Sequence, residues 1–135
     1  MGIRLFSSKK ELMKEIKIQL SKRVYKKLYE VEVTDLKAGD ILTVMASGQA
    51  TNDTGWNVML GRFITFNDKE VCESASSNIT PDMHHGAIDK YWMFPVDRDY
   101  ATAKVALVIY AASTRAHGMK LRIDQGRSGI AVRVN

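Results

Sequence analysis

Apolar and polar positions alternate with a period of two over most of the chain after residue 24, the repeat of strands that bury one face. In Tyr29-Glu30-Val31-Glu32-Val33 both glutamates share one side while Tyr29, Val31 and Val33 share the other, so the latter three are expected in the core. Lys37-Ala38-Gly39-Asp40 has turn chemistry, and residues 41–46 are almost wholly apolar or β-branched, which predicts a central strand buried on both sides. Residues 47–55 are rich in small and polar groups and read as a connecting loop, followed by a strand over 57–66 that ends at Asn67-Asp68. A short strand is expected at 71–73, then a polar crossing over 74–86 that contains Pro81. Further strands are predicted at 90–94, 104–111, 119–123 and 129–134.

This makes about eight short strands separated by turns, the rhythm of an all-β fold: a two-sheet antiparallel β-sandwich of jelly-roll type. The start is read differently. Ser8-Lys9-Lys10-Glu11 has the spacing of a capping box, with Leu12, Met13, Ile16 and Leu20 following at helical intervals, so a short helix from about residue 9 fits. Ile16, Ile18 and Leu20 also alternate, and a strand entering the sheet near Ile16 fits equally.

Charge divides the chain at the same place. The net charge of +5 conceals nine basic residues against two acidic ones in residues 1–27, while the rest is mildly acidic. The expected organisation is a basic N-terminal arm or short helix over 1–27 and a sandwich over 28–135. Arg4, Lys9, Lys10, Lys14, Lys17, Lys22 and Arg23 are the candidates for attaching the arm to something anionic, against the simpler reading of a solvated lysine face. Nucleic acid is one such partner, for which binding should fall steeply with salt, but it is not the expected one.

The composition, 45% hydrophobic and 26% charged over 135 residues, suits one folded domain. No apolar run reaches the length of a membrane helix, and the start lacks the apolar stretch of a secretory signal, so no membrane partner and synthesis in the cytoplasm are expected. Cys72 stands alone and forms no intrachain disulfide.

Phosphate-binding glycine loops, a nucleophile elbow, a zinc-protease helix and calcium-loop spacing are all missing, so no enzyme and no cofactor are expected. His84-His85 is the candidate metal pair, but adjacent residues of an extended chain point apart, and a third ligand such as His117 or Asp82 would be required. Packing under a loop or a subunit contact explains the pair without a metal. Loop carboxylates at Asp53, Asp68, Asp82, Asp97 and Asp99 are accounted for by turn hydrogen bonds. Trp56, Tyr91 and Trp92 are candidates for stacking on sugar or for a subunit interface, since Tyr91 and Trp92 cannot both face the core of one strand.

The second half of the chain supplies a resemblance. Asn78-Ile79-Thr80-Pro81, His84-His85, residues 105–113 with their run Val105-Ala106-Leu107-Val108-Ile109-Tyr110, and the closing Gly129-Ile130-Ala131-Val132 resemble small virion-associated proteins of tailed bacteriophages. The resemblance implies a capsid-decorating or head-fibre jelly roll, commonly a homotrimer, located in the virion and tied to the major capsid protein or another virion component by its leading segment. The lysine-rich start departs from that pattern. The competing function is a carbohydrate- or receptor-binding sandwich using Trp56, Trp92 and the loop 49–55, with a surface glycan as partner.

Overall fold

The computed structural model describes residues 3–8, 15–18, 25–52, 57–79, 86–87, 89–111, 119–123 and 129–135. In chain order the strands are β1 (Arg4–Ser8), β2 (Glu15–Ile18), β3 (Lys26–Leu36), β4 (Ile41–Ser47), β5 (Gln49–Asn52), β6 (Val58–Phe66), β7 (Lys69–Glu70), β8 (Ala75–Ile79), β9 (Gly86–Ala87), β10 (Lys90–Pro95), β11 (Tyr100–Ala111), β12 (Met119–Ile123) and β13 (Gly129–Val134). One ladder has the order β1-β13-β4-β10, and another β3-β11-β6-β7 with β8 also on β6. A third, β2-β12-β5-β9, repeats the first with the adjoining segment of each strand, so β4 continues as β5 past Gly48.

Grouping the strands that follow one another in register leaves, among the described residues, eight runs: β1–β2, β3, β4–β5, β6, β7–β8, β9–β10, β11 and β12–β13. Their order is 1-8-3-6 in one sheet and 2-7-4-5 in the other, with every pairing antiparallel. The pairs 1·8, 2·7, 3·6 and 4·5 are those of one long hairpin rolled into two layers, which is the jelly roll. The expected fold class is therefore observed.

The core lies between sheet one (β1-β13-β4-β10) and sheet two (β3-β11-β6 with β7 and β8). Leu42, Val44, Ile130, Val132 and Val134 face Tyr29, Val31, Val33, Leu60, Ile64, Val105 and Leu107, all buried. The alternation works as expected in β3, where Glu32 is exposed and Val31 and Val33 are not. A bulge between Leu107 and Val108 breaks the alternation, so neighbouring Leu28 and Tyr29 are both buried. Val96 is tied to the turn before β4 by Val96 N–H to Asp40 O (2.8 Å) and Gly39 N–H to Val96 O (2.9 Å), with Gly39 at φ 90°.

Several expectations need correction. Residues 49–52, read as loop, form β5, and Ala75–Ile79, read as part of a crossing, forms the edge strand β8. Both are short on apolar residues, yet ladder hydrogen bonds come from the backbone, and β8 in addition lies beside the long, largely buried β6. The short strand expected at 71–73 is instead β7, placed earlier by the tight turn at Asn67 and Asp68, whose φ values are 48° and 68°. Near the start, Glu15–Ile18 is strand, the second of the two readings. The helix expected from about residue 9 begins outside the described residues. Two strands thus lie within residues 1–27, and β1 pairs along its whole length with β13.

Candidate functional site

Of the attachment residues, Lys9, Lys10, Lys14, Lys22 and Arg23 lie outside the described residues, as do Trp56, His84 and His85, and Lys17 is placed only as backbone in β2. Arg4 is engaged within the fold. Its guanidinium crosses from sheet one to sheet two and donates to Thr34 O (2.5 Å) and Asp35 O (2.8 Å), and it lies 5.6 Å from the Phe6 ring centre. Those carbonyls satisfy two of its donors, making Arg4 a clasp between the sheets.

Tyr91 and Trp92 lie on β10, the edge of sheet one. Trp92 pairs with buried Val44 and so points to the inner side, but at the open edge it is still 38% exposed, with Lys90 Nζ 5.7 Å from its ring centre. Tyr91 points outward. Trp92 thus faces the interior without being buried, since among the described residues β10 has no further neighbour in sheet one to close the interior over the indole.

The outer face of sheet one follows from the register. Leu5, Arg133, Thr43 and Met93 lie in one row, and Ser7, Ala131, Met45 and Tyr91 in the next. Leu5 (71% exposed), Tyr91 (61%), Met93 (57%) and Met45 therefore share a face whose charged member in these rows is Arg133. Strand β4 is interior, as expected, but the two-sided burial holds at Thr43 and fails at Met45. Thr43 Oγ1 and Arg133 Nε are both sealed from solvent with no hydrogen-bond partner among the described residues.

The outer face of sheet two carries a cavity of about 370 Å³ lined by Tyr25, Lys27, Phe63, Thr65, Asp68, Glu70 and Val108. Val108 and Phe63 are cross-strand partners, as are Thr65 and Glu70. Tyr25 rests against Phe63 and Tyr110 with ring centres 5.8 and 5.2 Å away. Tyr110 lies flat over Gly61, where a Cβ would fall 2.2 Å from its ring. At the rim Lys27 Nζ meets Asp68 Oδ1 at 2.5 Å and Glu30 Oε2 at 2.8 Å. The hydrogen bond to Asp68, then that to Glu30, raises the Lys27 pKa above its ordinary 10.5. The same bond to Lys27 holds Asp68 below the ordinary 3.8.

None of these residues was singled out as a binding group in the sequence, apart from Asp68 among the loop carboxylates. Phe63, Thr65 and Val108 fall inside strands that read as core, and only the fold shows them on the outer side. The β-bulge and the Gly61–Tyr110 juxtaposition are the signals that mark this face, and neither is visible before the pairing is known.

The other loop carboxylates do turn work. Asp40 Oδ2 accepts from Lys37 N–H and Asp99 Oδ1 from Ala38 N–H, both at 2.8 Å. Asp97 accepts from the Tyr100 hydroxyl at 2.8 Å, which lowers its pKa. Asp53 and Asp82 are outside the described residues. Arg62 is held inside the sheet end by Asp89 O and by Ser77 Oγ (2.6 Å), and burial lowers its pKa. Among the described residues no three His, Cys, Asp or Glu side chains converge as metal ligands. Cys72 is buried, with its sulfur accepting from Ile64 N–H at 3.3 Å.

No protein-family model matches the chain, and no curated protein matches it in sequence. Among solved structures it is similar to a chain in the structure of infectious bursal disease virus strain Gt, with TM-score 0.64 and 14% identity over 97% of this chain and 33% of that one. A chain in the structure of strain Gx gives TM-score 0.66 and 12% identity over 99% of this chain and 33% of that one. An arabinose-bound α-L-arabinofuranosidase, MgGH51, gives TM-score 0.52 and 11% identity over 98% of this chain but 22% of that one. This chain thus spans about a third of the viral chains it matches. At such identities the likeness is one of fold: this is a β-sandwich of a kind found in a virus structure and also within a glycosidase chain.

Proposed function

We propose that this chain is a non-enzymatic structural protein of a virion, a phage capsid-decoration or head-fibre component. It associates with copies of itself as a homotrimer and attaches to the major capsid protein or another virion component through its lysine-rich leading segment. The observation that carries the reading is the outer face of sheet one, where Leu5, Met45, Tyr91 and Met93 stand together in solvent. Covering such side chains is worth about 1.5–3 kcal/mol each at full burial, enough to drive association when several are buried together. The occurrence of the same fold in infectious bursal disease virus structures supports the viral part of the reading.

The test is the solution mass of the full chain beside a Tyr91→Glu/Met93→Glu variant. Both side chains are exposed, so the variant should keep its circular dichroism spectrum while a trimeric wild type falls to monomer. A wild type that is monomeric at about 100 μM, or a variant of unchanged mass, overturns the self-association. Attachment is better tested by neutralising Lys9, Lys10, Lys14, Lys17, Lys22 and Arg23 than by deleting residues 1–27. Deletion would also remove β1 and the Arg4 clasp.

A further inference from the structure

The cavity over sheet two has features that the assembly reading leaves unused. Tyr25 is 51% exposed, yet its ring is set against Phe63 and Tyr110, so its free face is already oriented. Lys27 and Asp68 are held by their mutual contact, and Lys27 additionally by Glu30. Glu70 is brought to the rim by its pairing with Thr65, which lies in the floor with its hydroxyl buried beneath the surface. An aromatic wall therefore faces a rim of hydrogen-bond donors and acceptors across a space of about 370 Å³, within the range of small-ligand sites.

Charge narrows the ligand class. A cation entering this space meets Lys27, and an anion meets Asp68 and Glu70. A neutral polyhydroxyl ring suffers neither repulsion, because its hydroxyls can accept from the ammonium and donate to the carboxylates, which form charge-assisted hydrogen bonds. Its C–H face matches the exposed face of an aromatic ring. We infer that the cavity formed by Tyr25, Lys27, Phe63, Thr65, Asp68 and Glu70 on the outer face of sheet two is a binding site for a neutral sugar residue. The volume suits a single ring or a disaccharide. The site is on the opposite side of the sandwich from the proposed assembly face and does not depend on it. It also differs from Trp92, whose indole is partly covered and approached by Lys90.

The test titrates the full-length chain with methyl glycosides of neutral hexoses and pentoses, followed by amide chemical shifts, with a glycan array run in parallel. Saturable binding at millimolar concentration is expected, weakened about tenfold or more by Tyr25→Ala, retained in Tyr25→Phe, and reduced several-fold by Glu70→Gln. Trp92→Ala should leave it unchanged. Binding of glycan but not of free glycoside, with the same Tyr25 dependence, assigns the site to one residue of a larger chain and supports the inference. No binding of either at about 100 mM, loss on Trp92→Ala rather than Tyr25→Ala, or preference for lysine methyl ester over the glycosides overturns it. Because Tyr25 and Glu70 are exposed, the variants should keep the wild-type spectrum of the core amides, which separates lost binding from lost fold.

Discussion

Replacing Gly61 with alanine adds one methyl group where the chain has no room for it. Gly61 faces Tyr110 directly across the β6–β11 ladder, and a Cβ at that position would stand 2.2 Å from one ring carbon and 2.6 Å from two more. Real contacts of that kind lie near 3.5–4.0 Å, so the ring must move by more than an ångström. Tyr110 is buried and holds Tyr25 and Phe63 at 5.2 and 5.9 Å, so a small tilt cannot accommodate the methyl without disturbing all three rings. Overpacking costs about 1–3 kcal/mol, and outright loss of a buried aromatic about 3–5 kcal/mol, which places Gly61→Ala at about 2–4 kcal/mol.

For 135 residues the unfolding entropy is about 0.28 kcal/mol/K, so that loss lowers Tm by about 7–14 °C. The urea midpoint should fall by about 1–2 M with the slope unchanged. The decisive comparison is a double-mutant cycle. In a Tyr110→Ala background the obstacle is gone, and Gly61→Ala should cost under about 1 kcal/mol or stabilise slightly, because alanine is preferred over glycine within strands. Additive effects, or a wild-type background that tolerates Gly61→Ala, would refute the claim that the glycine exists to seat the ring.

Two further outcomes follow from side chains described above. Arg4→Met should cost about 1–3 kcal/mol in urea unfolding through loss of the bonds to Thr34 O and Asp35 O, and should speed hydrogen exchange in β1 before the remainder of sheet one. Asp68→Asn removes the ion pair with Lys27. Asp68 is depressed below 3.8, so its contribution is present above that value and lost as pH falls through the folded-state pKa. Lys27 is raised above 10.5, so its contribution is present below 10.5 and lost as pH rises through its own. The stability gap between wild type and Asp68→Asn should be small, since both groups are exposed, flat around neutrality, and closed at either extreme; a gap that persists in acid well below 3.8 would contradict it.

What the residue pattern determined was the material of the sandwich. Tyr29, Val31 and Val33 lie in the core because alternation is a local property: a strand with one apolar side must bury that side whatever its partner. The strands Met119–Ile123 and Gly129–Val134 fall where turn residues and β-branched runs placed them, for the same reason. The β-sandwich fold class was legible through strand count and spacing.

Tertiary structure decided everything that depends on which strand lies beside which. Strands β5 and β8 exist because backbone groups of β12 and β6 need partners, a demand that no local pattern announces. Arg4 was legible as a charge and became a clasp only when β1 was laid against β13, bringing it under two carbonyls of β3. Trp92 faces inward yet stays exposed because β10 is an edge among the described residues, and edges are a property of sheet order, not of sequence. The cavity over sheet two draws on Tyr25, Phe63 and Val108, which are apolar and far apart in the chain. Composition gives such residues to the core by default, and only the register turns them outward, where they meet Lys27, Asp68 and Glu70.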